Sequence, residues 1–265
     1  MNILETKQLT RRFGNLTAVA EINIAVQEGD IFGLLGPNGA GKTTTLKMLT
    51  TLLPPTSGTA CVAGFDIVHQ AGSVRRMIGY VPQLLSADGA LTGYENLLMF
   101  SKLYDVPRQE RKQRIHQSLE LMQLENASGK LVNTYSGGMI RRLEIAQSML
   151  HRPPVLFLDE PTIGLDPLAR SSVWEHIHEM KSRYGTTIML TTHYMDEADS
   201  LCDRVAIMHE GKIAAIGTPA ELKASLGGED VTLDEVFAHY AGAELETGGS
   251  FREVSRTRRT ARRMG

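Results

Sequence analysis

Ile31-Phe32-Gly33-Leu34-Leu35 runs without a break into Gly36-Pro37-Asn38-Gly39-Ala40-Gly41-Lys42-Thr43. The first five residues are continuously apolar, the pattern of a strand covered on both faces. The next eight fit G-x-x-x-x-G-K-[ST]. Thr44 to Leu52 then reads as a helix stopped by Pro54-Pro55. A buried strand, a glycine loop and a helix in that order are the setting in which this motif binds phosphate. Glycines let the backbone curl so that successive N–H groups point at phosphate oxygens. Lys42 brings positive charge to the β- and γ-phosphates, and the Thr43 hydroxyl suits Mg²⁺.

Outward from this loop, residues 3–9 and 18–26 alternate in polarity as short strands, followed by a turn at Glu28-Gly29-Asp30. From about Leu91 to Leu150 the spacing becomes helical, through Leu97, Leu98, Phe100 and Leu103 and then Ile115, Leu119 and Met122. Three further strands follow: Val155 to Leu158, ending in Asp159-Glu160-Pro161; Thr187 to Thr192, ending in His193; and Arg204 to Met208, ending at a Glu-Gly turn. Strands alternating with helices predict an α/β fold with a largely parallel sheet and helices on both faces.

In such a sheet ligands gather outside the carboxyl ends of the strands. Here three of those ends carry the glycine loop, Asp159-Glu160 and His193. A carboxylate closing an apolar strand is costly unless it meets a cation or a metal-bound water, so Asp159 is a candidate outer-sphere partner of Mg²⁺. Glu160 is placed to polarise an attacking water, a role typically worth about 10²- to 10⁴-fold in rate. His193 is in reach of the γ-phosphate or that water. Glu197, four residues further on, is not taken as a metal partner of His193, because no third ligand and no H-E-x-x-H pattern accompany it. Gln83 follows the short strand Ile78-Gly79-Tyr80-Val81 and, by itself, is a loop glutamine. Phe13 has two readings, an aromatic stacked on adenine, worth about 1 to 3 kcal/mol by analogy with base stacking, or a core phenylalanine.

Composition narrows the rest. The chain has 265 residues, enough for one large domain or two small ones, and its net charge of -2 gives no global bias toward nucleic acid or anionic membrane. Cys61 and Cys202 are far apart without C-x-x-C spacing, and Met1 to Gly14 has no apolar signal region, so reduced thiols and a cytosolic location are expected. No apolar run approaches the roughly 20 residues needed to span a bilayer. Beyond Gly242 the texture changes. Residues 251–265 hold Arg252, Arg256, Arg258, Arg259, Arg262 and Arg263 against Glu253, which reads as a solvated tail or as a contact for the anionic leaflet or a membrane partner.

One motif remains: Tyr135-Ser136-Gly137-Gly138-Met139, at the mouth of a helix with Arg141-Arg142 and the apolar-periodic Leu143, Ile145, Ala146, Met149 and Leu150. Together with the residues above it resembles the nucleotide-binding subunits of ATP-binding-cassette (ABC) transporters, a likeness that covers about residues 3–240. The order matches: Phe13 as adenine loop, Walker A over Gly36 to Thr44, the Q-loop at Gln83, the signature at Tyr135 to Met139, Walker B at Val155 to Asp159 with Glu160, the D-loop at Gly164-Leu165-Asp166, and the switch His193. Tyr135, Met139, Ile163-Gly164 and Phe13 depart from the commonest family residues, while Ser136-Gly137-Gly138 is intact. With "YSGGMIRRLEIA", "TTHYMDEAD" and "TLDEVFAHYAG" these departures look like the ABC-2 branch, and daunorubicin-resistance-type ATPases above all.

The resemblance implies a P-loop NTPase fold with a RecA-like, mostly parallel core, an antiparallel β subdomain and an α-helical signature subdomain at about 86–152. The ATPase domain would span 1–220, with an extension at 221–250 and the basic tail at 251–265. It implies Mg²⁺ and ATP as cofactors, with Phe13, Gly36, Pro37, Asn38, Gly39, Ala40, Gly41, Lys42, Thr43 and Thr44 around the nucleotide. Thr43, Gln83 and Asp159 would serve the metal, and Glu160, His193, Gln83 and Lys42 catalysis. Ser136, Gly137, Gly138 and Asp166 would serve a nucleotide shared with a second copy, since the signature of one cassette closes over the ATP of the other. It further implies a membrane permease as partner, a peripheral place on the cytoplasmic face of the cell membrane, export as the direction, and no nucleic acid. The rivals are a soluble ABC ATPase of translation or DNA repair and a P-loop kinase or GTPase. The first expects two cassettes or a long coiled coil in the chain, and the second no signature serine.

Overall fold

The computed structural model describes residues 1–227 and 231–240. The arginine-rich stretch 251–265 lies outside them. Strands β1 (Asn2–Phe13), β2 (Leu16–Ile22), β3 (Ala25–Gln27) and β4 (Ile31–Leu35) lead into helix α1 (Lys42–Leu49). Then come β5 (Ser57–Val62), β6 (Phe65–Asp66), α2 (Ala71–Met77) and β7 (Ile78–Val81), followed by α3 (Gly93–Leu103), α4 (Arg108–Leu121) and α5 (Gly137–Met149). The chain continues through β8 (Val155–Asp159), α6 (Pro167–Tyr184), β9 (Thr187–Thr192), α7 (Met195–Leu201), β10 (Arg204–His209), β11 (Lys212–Gly217), α8 (Pro219–Ala224) and α9 (Leu233–Tyr240).

Two sheets result. One has the order β11-β10-β4-β9-β8-β7, parallel throughout except for the edge strand β11. The other is antiparallel, in the order β2-β1-β5-β6 with β3 also on β1. Every residue of β4, β8 and β9 is buried, as strands covered on both faces must be. Their side chains divide by the two-residue period. Ile31, Leu35, Leu156, Leu158, Ile188 and Leu190 pack with the α3–α7 side, whereas Phe32, Leu34, Val155, Phe157 and Met189 pack with Leu46, Met48 and Leu49 of α1 and the antiparallel sheet. The expected α/β class with a parallel core and an antiparallel sheet is what the chain forms.

Local departures from the sequence reading have physical causes. The strand expected over 18–26 is divided into β2 and β3, because Gln8 and Glu21 adopt left-handed backbones (φ 48° and 51°) that shift the pairing register. Thr6 bridges the break, donating to Ile22 O and accepting from Ile24 N. The helix expected over 44–52 begins instead at Lys42, so Lys42 and Thr43 belong to its first turn, and it ends at Leu49, ahead of Thr51 at φ 63°. Helix α2 was not expected at all. Three later starts are written in the sequence: Thr92 and Glu95 form a capping box for α3, Ser136 caps α5, and Asp166 caps α6 ahead of Pro167.

Candidate functional site

The loop between β4 and α1 needs glycine at two places for different reasons. Gly41 has φ 104°, and a Cβ there would lie 2.4 Å from Ala18 O. At Gly36 the problem is space alone, since a Cβ would lie 2.2 Å from Met208 O. The loop is thereby drawn against the ends of β2 and β10, and Ala40 O accepts from Gly211 N at 3.0 Å.

Lys42 is 4% exposed. Its Nζ donates to Gly36 O at 2.7 Å and Pro37 O at 3.1 Å, and lies 3.1 Å from Glu160 Oε1. The other carboxylate oxygen, Oε2, is 2.5 Å from His193 Nδ1. Thr43 Oγ1 donates to Asp159 Oδ1 at 2.9 Å, and Thr191 Oγ1 donates to the same oxygen at 2.7 Å. Thr191 Oγ1 also accepts from Glu160 N at 2.9 Å, which helps hold Glu160 at φ 50°, an uncommon conformation for a residue with a Cβ. Lys42, Thr43, Asp159, Glu160 and His193, expected to converge, are thus joined in one network at the ends of the adjacent strands β4, β9 and β8, with Lys42, Asp159 and Glu160 buried and Thr43 and His193 partly exposed.

The remaining candidates have other partners. Gln83 lies two residues past β7, which pairs with β8, and its carbonyl accepts from Arg141 Nη2 at 2.7 Å. Phe13, at the end of β1, is 44% exposed with the Arg11 guanidinium 4.6 Å from its ring centroid, so the core reading does not hold. Asp166 is exposed, and its Oδ1 accepts from Leu168 N and Ala169 N at 3.0 Å. Ser136 Oγ accepts from Met139 N at 3.3 Å. Gly137 and Gly138 adjoin the start of α6, where a Cβ on Gly138 would be 2.9 Å from the Ala169 Cβ. Among the described residues no hydrogen bond joins Ser136, Gly137 or Gly138 to the Lys42–Glu160 network.

Tyr135, where the sequence departs from the usual signature leucine, is buried and donates to Ala127 O at 2.7 Å against Gly93. Glu197 faces inward: its Oε1 accepts from Thr162 Oγ1 at 2.8 Å and Trp174 Nε1 at 2.9 Å. Burial pushes its carboxyl above the ordinary value, and hydrogen bonds from Thr192, Thr162 and Trp174 pull the other way. Among the described residues no group of three or more His, Cys, Asp or Glu could hold a metal ion; His193 bonds Glu160, while Glu197 bonds Thr162 and Trp174. Thr191 and Glu144 were not picked out by sequence, and Arg141 and Glu197 were noted there without the contacts they make here. The one signal for Thr191 is a hydroxyl inside a strand too buried to leave it unpaired.

A family model described as "ABC transporter" matches residues 19–163. The chain is 45% identical over 224 residues to the daunorubicin/doxorubicin resistance ATP-binding protein DrrA of Streptomyces peucetius, covering 84% of this chain and 68% of that one. It is 43% identical over 238 residues to the probable multidrug ABC transporter ATP-binding protein YbhF of Escherichia coli, covering 89% of this chain but only 41% of that longer protein. Among solved structures, an ATP-binding subunit of an ABC transporter superposes with TM-score 0.80 at 30% identity, over 90% of this chain and 99% of that one. A dimeric ATP-binding cassette bound to ADP and Pi superposes with TM-score 0.72 at 25% identity, over 81% and 98%. With a family model matching more than half of the chain and a relative 45% identical over two thirds of its own length, the chain belongs to the ABC transporter family.

Proposed function

We propose that the chain is a Mg²⁺-dependent ATPase that powers export of a drug-like compound through a separate membrane permease, working as an ATP-bridged homodimer on the cytoplasmic face of the cell membrane. The observation that carries this reading is the joining of Lys42, Glu160 and His193 beside Thr43 and Asp159. The hydroxyl and carboxylate oxygens of Thr43 and Asp159 form a hard-oxygen pair suited to Mg²⁺, with Gln83 nearby as a further candidate. When bound, Mg²⁺ would neutralise charge on the phosphate oxygens.

Lys42, fixed by two loop carbonyls, presents its cation to the β- and γ-phosphates. The N–H groups of Gly36 to Thr44 and the start of α1 favour the same anion, and Phe13 offers its exposed ring to adenine. Glu160 takes a proton from the attacking water, while His193, bonded to its second oxygen, keeps the carboxylate aimed. Ser136, Gly137 and Gly138 start α5, where the first N–H groups of a helix have no partner within it. They would serve the nucleotide of a second copy, near that copy's Asp166. Among the described residues no helix is long and apolar enough to cross a membrane, which fits a subunit that depends on a partner for crossing. The soluble and kinase or GTPase rivals are not favoured, since YbhF and the superposed ATP-binding subunit bear ABC transporter names and DrrA is named for drug resistance.

Phosphate release by the purified chain tests the chemistry. Glu160→Gln is expected to lower turnover by about 10² to 10⁴ while ATP still binds; wild-type turnover in that variant would refute the role. Co-purification of the tagged chain from detergent-solubilised native membranes tests the partner. An integral-membrane protein is expected, and recovery only with ribosomes or DNA would move the chain to the soluble rivals.

A further inference from the structure

Arg141 and Glu144 are 2% and 3% exposed on α5 and pair with each other at 3.0 Å. Two charges taken out of water at this depth are costly unless every bond is met, and an apolar pair would commonly fold the helix as well. Here the bonds go to one target. Arg141 Nη1 donates to Pro82 O and Nη2 to Gln83 O, both at 2.7 Å. Glu144 Oε1 accepts from Ser86 N, from Ser86 Oγ at 3.1 Å and from Ala87 N at 3.3 Å. Three residues further along α5, Gln147 Nε2 donates to Asn96 Oδ1 at 3.2 Å, and that oxygen also accepts from Asp88 N at 3.1 Å.

Within this clamped segment Leu84 and Leu85 are 81% and 51% exposed. A loose loop carrying two leucines would gain by turning them inward, so its course is imposed by the bonds at either end rather than by its own burial. The helix that imposes it is the one whose first turn is Ser136-Gly137-Gly138.

We propose that Arg141 and Glu144 are positioning residues: the buried pair fastens residues 82–87 to α5, so that Gln83 and the signature turn are set by one rigid element. This rests on the ATPase reading and adds to it a residue pair that the motifs do not include. Arg141 suits the task because its planar fork reaches two neighbouring carbonyls at once, which the single ammonium of lysine cannot do in the same geometry.

The test uses the full chain with Arg141→Met, Arg141→Lys and Glu144→Gln, reading kcat, ATP dissociation constant, Mg²⁺ half-saturation and melting temperature. Arg141→Met should lose at least tenfold in kcat and need more Mg²⁺, with the ATP dissociation constant within threefold of wild type, since the Lys42 loop is untouched. Arg141→Lys should recover part of kcat, and Glu144→Gln most of it, because an amide oxygen still accepts from Ser86 and Ala87. If Arg141→Met does not fold, the kcat and Mg²⁺ response of Arg141→Lys decide. Turnover within twofold of wild type in both Arg141 variants, or equal loss of ATP affinity and turnover, would overturn the proposal alone. A wild-type chain that neither binds nor hydrolyses ATP would overturn the ATPase reading with it.

Discussion

At Asp159 two hydroxyls, from Thr43 and Thr191, meet one carboxylate oxygen inside a fully buried strand end. Removing one donor there costs more than a surface bond, because the acceptor is left in a medium with no water to replace it. Thr191→Val should therefore destabilise the fold by about 1 to 3 kcal/mol and raise the Mg²⁺ requirement for turnover, read by urea unfolding and a Mg²⁺ titration. An unchanged midpoint would mean that Thr191 does not support Asp159. Glu197→Ala should cost about 2 to 4 kcal/mol, since it orphans both the Thr162 hydroxyl and the Trp174 N–H. Glu197→Gln, which keeps an acceptor oxygen, should cost much less. At this scale the sequence was legible where a polar side chain stood at the end of an apolar strand, as with Lys42, Asp159, Glu160 and His193. It was opaque at Thr191, where a β-branched residue fits a strand for ordinary reasons, and at Arg141 and Glu144, whose spacing is that of a surface pair.

Among the elements, the junction of α3 and α5 with the edge strand β7 carries a pH dependence. The His151 ring stacks on Tyr104 at 4.1 Å, and its Nε2 faces Ile78 O at 3.0 Å. Nε2 therefore bears the proton, and the buried Nδ1 is a bare acceptor. Burial, with the Arg114 charge adding to it, pushes the ring below its ordinary value of 6.5, although the Ile78 bond opposes the shift. The unfolded chain thus binds a proton that the folded chain resists. Stability should be full above about pH 6.5, fall as the pH drops below it, and level off beneath the folded value. His151→Phe should flatten the fall in melting temperature as the pH drops below about 6.5; an unchanged slope would assign the effect elsewhere. Elements with one strong period were readable, as β4, β8 and β9 show. The division of β2 from β3 was not, because it arises from left-handed turns at Gln8 and Glu21 in a stretch of unbroken alternation. Helix α2 is short and buries only Val74, too little to leave an apolar period.

For the whole molecule, the arrangement of the two phosphate-seeking elements decides the account. The Lys42 loop lies at the end of β4, while Ser136-Gly137-Gly138 starts α5 beside α6, with no hydrogen bond between the two among the described residues. The sequence could order these motifs along the chain, but only the fold shows that one is not bonded to the other. In the proposed function a site that uses both is completed by a second copy. The most direct measurement is the mass in solution of the Glu160→Gln chain with and without Mg-ATP, by analytical ultracentrifugation, beside the same chain carrying Ser136→Arg. The account predicts a dimer that forms only with Mg-ATP and is lost in the doubly substituted chain. A Glu160→Gln chain that binds ATP yet remains monomeric at saturating nucleotide, or a dimer indifferent to both ATP and Ser136, would contradict it.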